Sequence, residues 1–112
     1  MLANIEAMER AIQIGSRGDP VSEETILELH RTLMTPTMPK IAGTVRERQN
    51  WVGGRFHTPV GTELIPPPAD EVEPLLVDLA EFMNRTDLPG TLQAALAHAQ
   101  FESIHPFPDG NG

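Results

Sequence analysis

The sequence predicts a mainly α-helical domain carrying one hairpin-like projection. Apolar residues recur at helical spacing in four separate stretches. A proline-rich segment without helical period divides the second stretch from the third. Start and stop chemistry brackets most of these stretches.

Leu2, Ile5, Met8 and Ile12 share one helical face, with Glu6, Glu9, Arg10 and Gln13 between them, so a first helix is expected through about Ile14. Gly15 and Gly18-Asp19-Pro20 supply its stop. Ser22 before Glu23 and Glu24 opens a second helix, a side-chain cap with negative charge at the positive end of the dipole. Ile26, Leu27, Leu29, Leu33 and Met34 form its apolar stripe, and Pro36 and Pro39 stop it.

Residues 35–69 hold six of the eleven prolines and show no helical period. Gln49 to Gly54 and Glu63-Leu64-Ile65 read as two arms of a hairpin-like projection, closed by the stiff Pro66-Pro67-Pro68 run. A stretch of this length without helix is usually functional or disordered, and Trp51 and Phe56 argue against disorder. Helix returns at Asp70, where Asp70 and Glu73 have capping-box spacing and Pro74 fits the first turn. Val72, Leu75, Leu76, Leu79, Phe82 and Met83 form its wide apolar face, and Asn84 with Asp87-Leu88-Pro89-Gly90 ends it. The last helix is expected from a Thr91 cap to about Ile104, with Leu92, Ala95, Leu96 and Ala99 in one stripe. Pro106 ends that helix, because the residue before a proline is pushed out of the right-handed α region.

The 112 residues suit one small domain, which at this size buries roughly 60–70% of its unfolded surface. Sixteen acidic against eight basic residues give a formal net charge of −8, which argues against a nucleic-acid surface. The absence of cysteine excludes disulfides, thiolate zinc sites and a cysteine nucleophile, and suits a reducing cytoplasm. No apolar run approaches the ~20 residues of a membrane span, and Glu6 and Glu9 spoil a signal peptide. A cytoplasmic location without membrane contact is therefore expected. Asp109-Gly110-Asn111-Gly112, where the chain stops, reads like the middle of a loop.

The segment from His98 to Gly112 carries the chemistry. His105 stands at a helix carboxyl end against Pro106, where an imidazole suits proton abstraction near neutral pH. Phe107 offers an anchor, Asp109 a carboxylate, and Gly110-Asn111-Gly112 a turn whose N–H groups can converge on an anion. A carboxylate beside a phosphate nest is a natural Mg²⁺ ligand. Base, carboxylate and nest within eight residues point to phosphoryl or nucleotidyl transfer, although Asp-Gly-Asn-Gly alone is most often an ordinary turn.

His105-Pro106-Phe107-Pro108-Asp109-Gly110-Asn111-Gly112 resembles the motif of the Fic-domain family, His-x-Phe-x-(Asp/Glu)-Gly-Asn-Gly followed by Arg-x-x-Arg. The likeness extends over residues 22–112: Ala94 to Ile104 resembles the helix before the motif, and Glu28 to Met34 an earlier helix. Asn50-Trp51-Val52-Gly53, within Gln49 to Gly54, resembles part of the family's flap, here about residues 44–68. The resemblance implies a Fic-like helical bundle with a β-hairpin flap, of which residues 1–112 are the N-terminal portion, with the motif at 105–112 incomplete. It implies a protein adenylyltransferase that moves AMP from Mg²⁺-ATP to a Ser, Thr or Tyr hydroxyl of a target protein. His105 would be the general base, Asp109 the Mg²⁺ ligand, and Gly110, Asn111 and Gly112 the phosphate-binding turn. Phe107 would anchor the loop, and Asn50 to Gly53 would dock the target by strand addition.

Gly110 and Gly112 stand where the kinase-like branch has Ala and Lys, which favours adenylyl transfer. The family's arginines would follow Gly112, so these residues alone are expected to be inactive or nearly so. The inhibitory pattern (Ser/Thr)-x-x-x-Glu-(Gly/Asn) does not occur within them. Alternatives are a Fic-fold phosphotransferase or deAMPylase, or a non-catalytic helical interaction module; homo-oligomerisation stays open.

Several residues also have plainer readings. His98, Glu102 and His105, at i, i+4 and i+7, could hold a metal, but a buried His–Glu hydrogen bond is commoner. His30 and His57 read as surface or structural residues, and Trp51 as a hairpin anchor rather than a lid over the site. Glu71, Glu73, Asp78 and Glu81 read as a solvated face, and Met8, Met34 and Met83 as core.

Overall fold

The computed structural model describes residues 2–49, 65–109 and 111, with side chains from Ile5 onward. Its regular structure comprises α1 (Leu2–Arg17), α2 (Glu23–Met34), α3 (Val72–Met83) and α4 (Gly90–Ile104), with a 3₁₀ turn over Ala69–Glu71 leading into α3. No strand occurs among the described residues, so the class is helical as expected. Most of the expected hairpin, with Asn50, Trp51, Val52, Gly53, Phe56 and His57, lies outside the described residues.

Helix α1 runs past Gly15 to Arg17, three residues beyond the expected end. One interior glycine costs only about 1 kcal/mol, and the stop comes at Gly18, whose φ of +68° is left-handed. Helix α2 starts as expected. Ser22 Oγ accepts the Thr25 N–H at 3.3 Å, and the Ser22 N–H donates to Thr25 Oγ1 at 3.1 Å, closing a capping box.

Two expected caps are not formed. Neither the 3₁₀ turn nor α3 has a side-chain cap; Glu71 N–H donates to Pro68 C=O at 3.0 Å, so the turn opens straight from the proline run and Asp70 falls inside it. Pro89 occupies the cap position of α4, which places Thr91 within the helix. The Gln93 side chain instead caps α3, donating to the carbonyls of Phe82, Met83 and Arg85 at 2.9–3.1 Å. Asn84 joins the end of α3 to the start of α2. It accepts the Val21 N–H and donates to the Val21 carbonyl, both at 2.6 Å.

The core is Ile26 of α2, Val72, Leu76 and Leu79 of α3, Ile104 of α4, and Phe107 beyond it. Met34 is buried as expected, but Met8 is 65% exposed and Met83 is exposed too, as are Ile5 and Ile12. Helix α1 meets α2 instead through contacts that include the Arg10–Glu28 ion pair at 3.1 Å. Leu92, Ala95, Leu96 and Ala99 of α4 also face outward, while Ala97, Phe101 and Ile104 pack against or into the core. Helix α4 is apolar on nearly every side from Leu92 to Ala99, so spacing there cannot choose the buried face.

Candidate active site

Helix α4 ends one residue before His105, whose backbone is left-handed at φ 48°, ψ 62°. Its N–H donates to Phe101 C=O at 3.0 Å, closing the last turn. A proline at the next position favours extended backbone. A non-glycine residue in the left-handed region costs roughly 1–2 kcal/mol, so the surroundings must hold it there.

Arg46 holds it. This buried arginine, 4% exposed, donates Nε to His105 C=O at 2.7 Å and Nη2 to Ile104 C=O at 3.1 Å. Its backbone N–H donates to Pro106 C=O at 2.9 Å, so three consecutive carbonyls end on one residue. A cation at the carboxyl end of a helix also meets the negative end of the dipole. The same guanidinium donates Nη1 to Arg48 C=O at 3.0 Å and Nη2 to Pro67 C=O at 2.6 Å. Gln49 Nε2 donates to Pro66 C=O at 2.6 Å, so the stretches that flank residues 50–64 are tied to each other.

A second set of contacts holds the loop after Pro106. Phe107 is 1% exposed, stacks face to face on His30 at 3.6 Å, and meets Phe101 in a tilted pair at 6.2 Å. The Gly43 N–H donates to His30 Nδ1 at 2.9 Å, so Nδ1 carries no proton; Nε2 then donates to the Asp109 carbonyl at 2.8 Å. Burial lowers the pKa of His30, opposed by its bond to Asp109. Gly43 is required here because its φ is +70° and a Cβ would stand 2.9 Å from Arg31 Nε. Asn111 closes the loop, accepting the Phe107 N–H at 2.8 Å and donating to the Phe107 carbonyl at 2.9 Å.

His105 is half-buried, and its pKa is lowered, first by burial and then by the Arg46 cation, against a smaller upward pull from Glu102. An imidazole so placed is neutral at pH 7 and ready to accept a proton. Asp109, four residues on, has its backbone fixed by His30 and an exposed position. Asn111 uses its amide within the loop, while Gly110 and Gly112 lie outside the described residues. His98 Nε2 and Glu102 Oε1 lie 3.1 Å apart on the exposed side of α4 rather than in the expected buried bond. No group of three His, Asp or Glu residues suited to a metal occurs among the described residues. An open apolar cleft of about 740 Å³ lies behind the loop, between Met8, Leu33, Met83 and Phe101, and reaches Phe107 and Asn111.

Sequence reasoning missed Arg46 and did not choose between surface and interior for His30. Arg46 sits in a polar, proline-flanked stretch where an arginine reads as solvated. No local pattern marks it, because its partners lie 21 to 60 residues away apart from Arg48.

A helix ending on a left-handed histidine, followed by a phenylalanine-anchored loop with a carboxylate, matches the Fic motif read from the sequence. The chain belongs to the Fic/DOC family, whose pattern it matches over residues 20–112. It is 36% identical over 97 residues to the protein adenylyltransferase fic-1 of Caenorhabditis elegans, covering 84% of this chain and 17% of that protein. It is 35% identical over 96 residues to the protein adenylyltransferase Fic of Drosophila erecta, with 82% and 17% covered. The chain thus spans about a sixth of the length of these relatives. A crystal structure of a Fic family protein from Desulfovibrio desulfuricans G20 superposes with a TM-score of 0.67 at 25% identity, over 99% of this chain and 34% of that one. No helix among the described residues is long and apolar enough to cross a membrane.

Proposed function

We propose that this chain carries the base, the metal carboxylate and the start of the phosphate-binding turn of a protein adenylyltransferase. The observation that supports this best is His105, held at the end of α4 with a lowered pKa, four residues before Asp109. The curated relatives named protein adenylyltransferases support the same reaction class.

In this reading a Ser, Thr or Tyr hydroxyl of a target protein attacks the α-phosphorus of ATP. The O–H proton passes to the His105 imidazole, the new bond is a phosphodiester to AMP, and pyrophosphate leaves with the electron pair of the broken P–O bond. Asp109 would hold Mg²⁺ together with the nucleotide. A single carboxylate on a fixed loop suits an ion that takes one or two carboxylates plus phosphate oxygens, rather than a site built wholly of protein. Mg²⁺, when bound, neutralises charge on the phosphates. Backbone N–H groups of Gly110, Asn111 and Gly112 would donate to phosphate oxygens, and Phe107 keeps the loop in place. The segment from Asn50 to Gly53 docks the target by strand addition, and the setting is cytoplasmic.

Calorimetric titration of Mg²⁺-ATP into the protein tests this reading. Binding should weaken at least tenfold in Asp109→Ala, and in a chain continued past Gly112 label from α-phosphate-labelled ATP should reach a protein target only with His105 present. Binding unchanged in Asp109→Ala would overturn the assignment.

A further inference from the structure

The guanidinium of Arg46 makes contacts whose meaning lies outside the residues of the motif. It is buried, its guanidinium bonds among the described residues all go to carbonyls at 2.6–3.1 Å, and those carbonyls belong to three separate pieces of chain. Ile104 and His105 are the end of α4, Arg48 lies on the incoming side of the 50–64 segment, and Pro67 lies on its outgoing side. A backbone carbonyl at a helix end has lost its intrahelical partner, and burying it without a donor is costly. Placing one fork of five donors among the carbonyls of Ile104, His105, Arg48 and Pro67 satisfies all four together and fixes their relative positions.

From this geometry we infer that Arg46 is a positioning residue for His105: it holds the imidazole-bearing residue in its left-handed backbone and locks that residue to the base of the 50–64 segment. The inference rests on the adenylyltransferase reading only in calling His105 the base; the lock itself is a statement about geometry. Its consequence is that His105 and the residues flanking the 50–64 segment, Arg48 and Pro67, share one anchor.

Two alternatives make different predictions. If Arg46 only fills space, a long apolar side chain should serve nearly as well. If it serves only as a positive charge, lysine should serve, since it keeps the charge and loses the fork. A lock requires the fork and the charge together. The charged groups acting on His105 are Arg46 from the 44–49 stretch and Glu102 from α4, and they pull in opposite directions.

The test is nuclear magnetic resonance on the 112-residue protein labelled at histidine, in Arg46→Lys and Arg46→Met, with circular dichroism to monitor helix content. The native protein should show the strong intraresidue HN–Hα Overhauser effect of a positive φ at His105. Both variants should lose it, and Arg46→Met should also move the His105 titration upward as the cation is removed. Arg46→Lys should keep most of the lowered titration while losing the left-handed signature, which separates charge from fork. A left-handed His105 persisting in a folded Arg46→Met protein overturns the inference, as does its persistence in Arg46→Lys. Should Arg46→Met not fold, the lysine variant decides by the same signature. None of these readings requires nucleotide or turnover, so failure of the lock is distinct from failure of the transferase reading. That second failure would show as Mg²⁺-ATP binding indifferent to Asp109→Ala.

Discussion

Replacing Phe107 by alanine tests whether the loop after α4 is held by its aromatic anchor. The ring is 1% exposed, packs in the core with Leu76, Leu79 and Ile104, and lies face to face with His30 at 3.6 Å. Truncating a fully buried phenylalanine removes its transfer energy and leaves a cavity, together about 3–5 kcal/mol. The stacked partner puts this site toward the upper end, since such pairs add roughly 0.5–1.5 kcal/mol beyond area. Against a total of about 5–15 kcal/mol for a domain, that is a third of the stability or more. Urea unfolding followed by circular dichroism should show the loss as a lower midpoint at unchanged slope, and the thermal midpoint should fall by at least ~10 °C. Phe107→Leu keeps most of the apolar volume and loses the stack, so it should cost only about 1–2 kcal/mol. A loss below about 1 kcal/mol in Phe107→Ala, at unchanged slope, would refute the anchoring argument.

Two further outcomes follow from the same loop. Gly43→Ala should lose about 1–2 kcal/mol in urea unfolding, because φ of +70° is strained for alanine and the added Cβ meets Arg31; a neutral result would mean that the 41–44 turn relaxes freely. His30 and His105 both have pKa values lowered by burial, so the folded chain refuses protons that the unfolded chain accepts below about pH 6.5. Their contribution to stability is therefore present above that pH and is lost as pH falls from it toward the folded values. In metal-free buffer the thermal midpoint should drop between about pH 7.5 and 5.5, and His30→Gln should flatten that dependence; an equal slope in both proteins would contradict it.

Much of the candidate site was legible because it is local. His105, Phe107, Asp109 and the glycines around Asn111 lie within eight consecutive residues, so their order alone carries the pattern. The caps were legible where short-range chemistry is decisive: Ser22 does what its spacing with Thr25 allows. At Asp70 and Thr91 the prolines nearby decided instead, because Pro68 and Pro89 fix the backbone that enters each helix. Periodicity found the helices but misjudged several faces. Met8, Ile12, Leu92 and Leu96 have the right spacing and remain exposed, since spacing names a stripe without naming its neighbour.

The sequence by itself determined the helical class and the Fic/DOC motif. Those depend on residues adjacent in the chain and on backbone preferences that act over one or two turns. Only the tertiary structure decided that Arg46 is buried on the carbonyls of Ile104 and His105, that His30 joins Gly43 to Asp109, and that His105 is left-handed. Each of these needs partners brought together from separate segments. A buried hydrogen-bonding group is settled by whichever donor or acceptor the packing delivers, and no local pattern states which one that will be.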